Sequence, residues 1–127
     1  MEPPGVVALP STPEAPGLAR RHLERLGASW SPDLLEITLL VVSEAVTNAV
    51  RYGAGEVRLR VEQDGGTLRI EVSDANPEPP RRRAPPLDGL DEGGRGLPLL
   101  DALTRSWGTD RRPDAPGKTV WMEIPCS

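Results

Sequence analysis

Between residues 31 and 53, apolar residues return at Leu35, Leu39, Val42, Val46 and Ala49, at spacings of 4, 3, 4 and 3. That is the period of a helix buried along one stripe. Ser31-Pro32-Asp33 before it supplies an N-cap with Pro in the first turn, and Gly53 after Tyr52 supplies a stop. Downstream the period changes to two. Glu56 to Gln63 alternates apolar and polar residues, Asp64-Gly65-Gly66 breaks the run, and Thr67 to Ser73 alternates again through Leu68, Ile70 and Val72. This pattern predicts an antiparallel hairpin with one wet face. Weaker signals complete the order. Val6–Leu9 reads as a short strand, and Thr12-Pro13-Glu14 opens a helix through Leu18, Leu23 and Leu26 that stops at Gly27. Pro98 sits in the first turn of a helix to about Thr104. Strands near Ser106–Asp110 and Lys118–Ile124 close the chain. The sum is an α+β, two-layer sandwich with helices on one face of a mostly antiparallel sheet.

Composition sharpens this picture in a few places. The 127 residues include 15 Pro and 13 Gly, clustered at 3–17, 77–98 and 113–117. They mark a flexible lead at 1–5 and a segment at about 75–95 that is either a functional lid or a disordered insert. The length predicts one domain, 1–127. With no Phe, one Tyr and three Trp, the core must be aliphatic. A net charge of −4 argues against a direct nucleic-acid partner. Of the 15 cationic side chains, 14 are Arg. Cys126 and His22 stand alone, excluding an intrachain disulfide and any zinc site built on several His or Cys. No apolar run reaches the ~18 residues of a membrane span, and the N-terminus lacks the features of a signal peptide, so a cytoplasmic location is expected.

Three segments carry candidate chemistry. Glu44 and Asn48 lie one turn apart on the second face of the long helix, beside Ile37 and Val41. They form either a partly buried polar pair facing a ligand or an ordinary solvated helix edge. Their oxygens are hard donors suited to Mg²⁺ and phosphate. Asp74 ends the second hairpin strand, where Ser73-Asp74-Ala75-Asn76-Pro77 fits either a plain Asx turn or an acceptor for an exocyclic amine. Gly93-Gly94-Arg95-Gly96-Leu97-Pro98 is a glycine-rich loop opening a helix. It is neither a Walker A nor a dinucleotide fingerprint, and it suits either a hinge or a phosphate cradle.

Together, Ser43-Glu44-Ala45-Val46-Thr47-Asn48-Ala49-Val50-Arg51, Asp74-Ala75-Asn76 and Gly94-Arg95-Gly96-Leu97-Pro98-Leu99-Leu100 stand in the order of one nucleotide site. The chain resembles the GHKL (Bergerat-type) ATP-binding domains over about Val6 to Pro125, and among them most resembles anti-sigma-factor serine/threonine kinases and small actinobacterial regulators. The resemblance implies ATP and Mg²⁺ as cofactors. It implies that Asn48 holds Mg²⁺, that Glu44 is general base toward a protein hydroxyl, and that Asp74 accepts the adenine amino group. Gly94, Arg95, Gly96 and Leu97 would cradle phosphate, and Thr119 would lie near adenine. Asn76, two residues after Asp74, stands at the nucleotide where family members usually carry Gly, and Tyr52 stands where they often carry His. The implied partners are a sigma factor and an anti-sigma antagonist protein, with a homodimer possible. Three functions follow: a kinase that phosphorylates the antagonist and sequesters the sigma factor, an ATP-binding interaction module without effective kinase activity, or an interaction domain whose site has decayed.

Overall fold

The computed structural model describes residues 5–76, 96–113 and 115–126. Strand β1 (Val6–Leu9) is followed by helices α1 (Ala15–Leu26) and α2 (Pro32–Tyr52). The hairpin β2 (Val57–Asp64) and β3 (Thr67–Asp74) comes next, then helix α3 (Gly96–Leu103) and strands β4 (Ser106–Arg111) and β5 (Lys118–Pro125). The five strands form one sheet in the order β1-β2-β3-β5-β4, with every neighbouring pair antiparallel. This is the α+β architecture that the alternation and the helical stripe predict.

Strict alternation decides which face is covered. Leu68, Ile70, Val72 and Asp74 of β3 are buried, while Thr67, Arg69, Glu71 and Ser73 between them are only half-buried. β5 repeats this with Lys118, Val120, Met122 and Ile124 buried. The register lays these residues side by side. Leu59 pairs with Val72 and Val72 with Val120; Val61 pairs with Ile70 and Ile70 with Met122. The result is an aliphatic layer under the helices, completed by Val41, Val42 and Val46 of α2 and Leu23 of α1. α2 packs on α1, on α3 and on the sheet, so it is the central element of the helical layer. Ser31 caps it by accepting a hydrogen bond from Leu34 N at 3.2 Å, as its sequence signal requires.

Two local details differ from the sequence reading. α1 starts at Ala15, not at Pro13. Thr12 contributes its backbone carbonyl, which accepts from Ala15 N at 3.0 Å, and no side chain caps the helix. In the first half of α2 the buried stripe is Leu34, Thr38 and Val41, whereas Leu35 and Leu39 are half-buried beside Arg20 and Leu40 in a shallow groove toward α1. Thr38 tolerates full burial because its hydroxyl donates to Leu34 O at 2.7 Å. Among the described residues no helix is long and apolar enough to cross a membrane.

Candidate nucleotide site

Asp74 is the last residue of β3, and its side chain points to the helix-covered face, 1% exposed. Two groups hold it. Asn76 N donates to Asp74 Oδ1 at 2.8 Å, which is the Asx turn the sequence allows. Lys118 Nζ, from the first residue of β5, lies 3.1 Å from Oδ1 and 3.0 Å from Oδ2, and the lysine side chain is itself only 6% exposed. The ammonium also donates to Asn76 O at 3.3 Å. Asn76 Nδ2 in turn donates to Tyr52 O at 2.8 Å, and Ala75 N donates to Ala54 O at 2.7 Å. The end of β3 is therefore tied to the end of α2.

Glycines make this close approach possible. A Cβ on Gly53 would sit 2.4 Å from Ala49 O and 2.6–2.7 Å from the Asp74 carboxyl group. Gly53 has φ −89°, so what it contributes is room rather than an unusual backbone angle. Gly117 combines both needs, with φ +136° and an added Cβ only 2.1 Å from Asp74 O. Neither was singled out for the site by sequence reasoning, because both read equally well as ordinary turn glycines.

On α2, Glu44 and Asn48 are half-buried, one turn apart. Asn48 Oδ1 is shut off from solvent and accepts no hydrogen bond among the described residues, and one oxygen of the Glu44 carboxylate is equally shut off. An amide oxygen buried without a donor costs about 1–3 kcal/mol unless something else engages it. A hard cation fits that oxygen. Among the described residues no cluster of three His, Cys, Asp or Glu could hold a metal, so a cation here would rely on phosphate oxygens and water for most of its shell.

The remaining predicted site residues are distributed as follows. Gly96 opens α3 and Leu97 lies in its first turn. Gly94, Arg95 and most of the 75–95 segment lie outside the described residues. Thr119 is on the other face of the sheet from Asp74. It pairs with Ser73, and the two hydroxyls are 2.7 Å apart. The β5 side chain that shares Asp74's face is Lys118. The sequence did carry a signal for it, since Lys118 is the single lysine among 15 cationic side chains.

The sheet carries an acid at the end of its central strand, and the helix packed on it carries a Glu-x-x-x-Asn pair. The chain belongs to the family described as "Histidine kinase-like ATPase domain", whose pattern matches residues 9–124. An uncharacterised protein of Streptomyces coelicolor, SCO4941, is 40% identical over 77 residues, covering 58% of this chain and 72% of that protein. The fold is similar to the structure of the RsbU and RsbW domains of Rv1364c from Mycobacterium tuberculosis, with a TM-score of 0.70 and 19% identity. That match covers 94% of this chain and 32% of the other. It is also similar to the histidine kinase domain of the blue-light activated histidine kinase EL346 of Erythrobacter litoralis, with a TM-score of 0.55 and 20% identity. There the coverage is 92% of this chain and 61% of the other. The chain thus spans less than two thirds of either structure.

Proposed function

We propose that this protein binds ATP with Mg²⁺ and acts as a serine/threonine protein kinase of the anti-sigma-factor type, with a sigma factor and an antagonist protein as its partners. The observation that carries the reading is that Glu44 and Asn48 stand one turn apart on α2, with Asn48 Oδ1 shut off from solvent and without a hydrogen-bond partner among the described residues. Asn48 would hold the cation, which neutralises phosphate charge when bound. Phosphoryl transfer to a serine asks little else of a protein beyond positioning and a base. In that step the serine oxygen bonds to the γ-phosphorus, the bond to the β–γ bridging oxygen breaks, and ADP leaves. Glu44 accepts the hydroxyl proton. Asp74 would accept from the adenine amino group, and Asn76, Gly94, Arg95, Gly96 and Leu97 would line the nucleotide. Thr119 would act only indirectly, through Ser73 and the register of β3 against β5.

Titration calorimetry with Mg-ATP tests the site. Asp74→Asn is expected to weaken binding about tenfold or more, the loss of a charged hydrogen bond, measured on variant protein whose circular dichroism spectrum shows it folded. Unchanged affinity would remove Asp74 from the adenine site. For the reaction, a pulldown with ATP and Mg²⁺ followed by mass spectrometry supplies the partner. Radiolabel transfer to that partner is then expected from the wild type and lost in Glu44→Gln, with ATP binding retained. Equal transfer by both would refute the base role. Binding without transfer by the wild type would leave an ATP-dependent interaction module.

A further inference from the structure

The Asp74–Lys118 pair carries a consequence beyond the binding of an amine by an acid. Lys118 is buried, and it is the single lysine in a chain that otherwise uses arginine for every cation. An ammonium has three N–H donors, and a carboxylate offers about four acceptor sites. One Lys118 donor is shared between the two Asp74 oxygens, and a second reaches Asn76 O. Asp74 Oδ1 accepts from Lys118 and Asn76 N, and Oδ2 accepts from Lys118. Among the described residues, one donor on Lys118 and at least one acceptor position on Asp74 remain uncommitted. The ammonium and the carboxylate that carry them lie 3.0 Å apart, in a place where water is nearly excluded.

A donor next to an acceptor is the complement of one edge of adenine, where the ring nitrogen N1 accepts and the neighbouring N6 amino group donates. We propose that Lys118 is a specificity-determining residue of the nucleotide site, donating to adenine N1 while Asp74 accepts from N6. This rests on the ATP-binding reading above and deepens it. The pair reads two atoms where the aspartate alone reads one. A guanine in the same pose would turn its N1–H toward the ammonium and its O6 toward the carboxylate, two repulsive contacts. Burial strengthens both effects, because a mismatched polar group there has no water to turn to.

The pair also explains why β5 begins with Lys rather than Arg. A guanidinium is a planar fork that fits a carboxylate with two donors at once, leaving its other donors pointing elsewhere. An ammonium is a compact point with donors in three directions, so it can serve Asp74, Asn76 and a base edge together.

The test is calorimetric binding of ATP, 1-deaza-ATP (N1 replaced by C–H) and GTP to the full chain and to Lys118→Met. The wild type is expected to prefer ATP over each of the others by about tenfold or more. In Lys118→Met the preference over 1-deaza-ATP should fall close to one. An unchanged ATP to 1-deaza-ATP ratio in the variant overturns the proposal, as does wild-type binding of GTP as tight as that of ATP. Tighter binding of all three nucleotides by the variant also overturns it, since Lys118 would then be a plug over Asp74. Removing one partner of a buried pair can unfold a domain, so two further measurements keep the test open. Lys118→Gln retains a neutral donor and should show an intermediate ratio. With lysine labelled at ε-¹⁵N, the wild type gives one side-chain resonance, which should shift with ATP and shift less with 1-deaza-ATP; equal shifts overturn the proposal. If the wild type binds no ATP in any of these experiments, the nucleotide reading itself fails, which is a different result from an unchanged ratio.

Discussion

At the scale of single residues, the site depends on what is absent as much as on what is present. Gly53 lets the end of α2 close on Asp74, and the space its Cβ would need is taken by a backbone carbonyl and a carboxyl group that is itself pinned by two partners, Asn76 N and the Lys118 ammonium. Gly17 is the contrast: it is in α1, exposed, with nothing within 4 Å of an added Cβ. Gly53→Ala is therefore expected to destabilise the protein by about 1–3 kcal/mol through overpacking. Gly17→Ala should stabilise it by about 0.5–1 kcal/mol, through the entropy of the unfolded chain and helix propensity. Urea denaturation of the two variants checks both signs, and only Gly53→Ala should lower nucleotide affinity. The Asp74 cluster was half legible in the sequence. Asp74 was visible as a polar residue ending an alternating strand. Lys118 was passed over for Thr119, because identifying the side chain opposite Asp74 requires the pairing of β3 with β5, and a slip of one residue exchanges the two faces.

At the scale of elements, α2 shows how periodicity is right about kind and inexact about rotation. Its limits, cap and stop follow the sequence signals closely. Its buried face in the first half turns by about one residue, to Leu34 and Thr38. Leu34→Ala is expected to cost about 2–5 kcal/mol, the range for a large-to-small change in a core. Leu35→Ala, in the half-open groove near Arg20, should cost about 1 kcal/mol or less. Equal thermal shifts for the two would contradict the observed rotation. The open face of the sheet is also organised rather than merely wet. Arg69 lies 4.9 Å above the Trp121 ring and bonds Glu71 at 3.1 Å and Glu123 at 3.3 Å. Gly108 opposite Trp121 leaves the ring its place: a Cβ there would be 2.7 Å from it. Cross-strand ladders of this kind stabilise a sheet face that no helix covers.

At the scale of the whole molecule, His22 of α1 ties that helix to the backbone just before β1. The imidazole is buried, its Nε2 has no partner among the described residues, and its ring hydrogen-bonds the backbone of Gly5. Burial pushes its pKa down, Arg25 adds to the effect, and the bond to Gly5 opposes it. The unfolded chain takes up a proton near pH ~6.5 while the folded protein resists it. As pH falls through 6.5 toward the folded pKa the unfolded state binds more protons, so stability is lost across that window and is unaffected by this group above it. Chemical denaturation of the wild type should show a falling stability from pH 6.5 downward. His22→Gln should flatten that slope, and parallel slopes for both proteins would exclude His22 as its source.

The amino-acid sequence by itself determined the kinds and order of the elements, because helix and strand periods, caps and turn glycines are written in neighbouring residues. It also set Glu44, Asn48, Asp74 and the glycine-rich segment before α3 in an order that resembles that of the GHKL nucleotide site. Only the tertiary structure decided which of these side chains share an environment. Sheet register set Lys118, rather than Thr119, beside Asp74; the close approach of α2 to β3 required Gly53, and that of the turn before β5 to the end of β3 required Gly117. Such contacts join residues far apart in the chain, 44 positions in the case of the Asp74–Lys118 pair. Their geometry comes from how whole strands and helices pack, which no local pattern encodes.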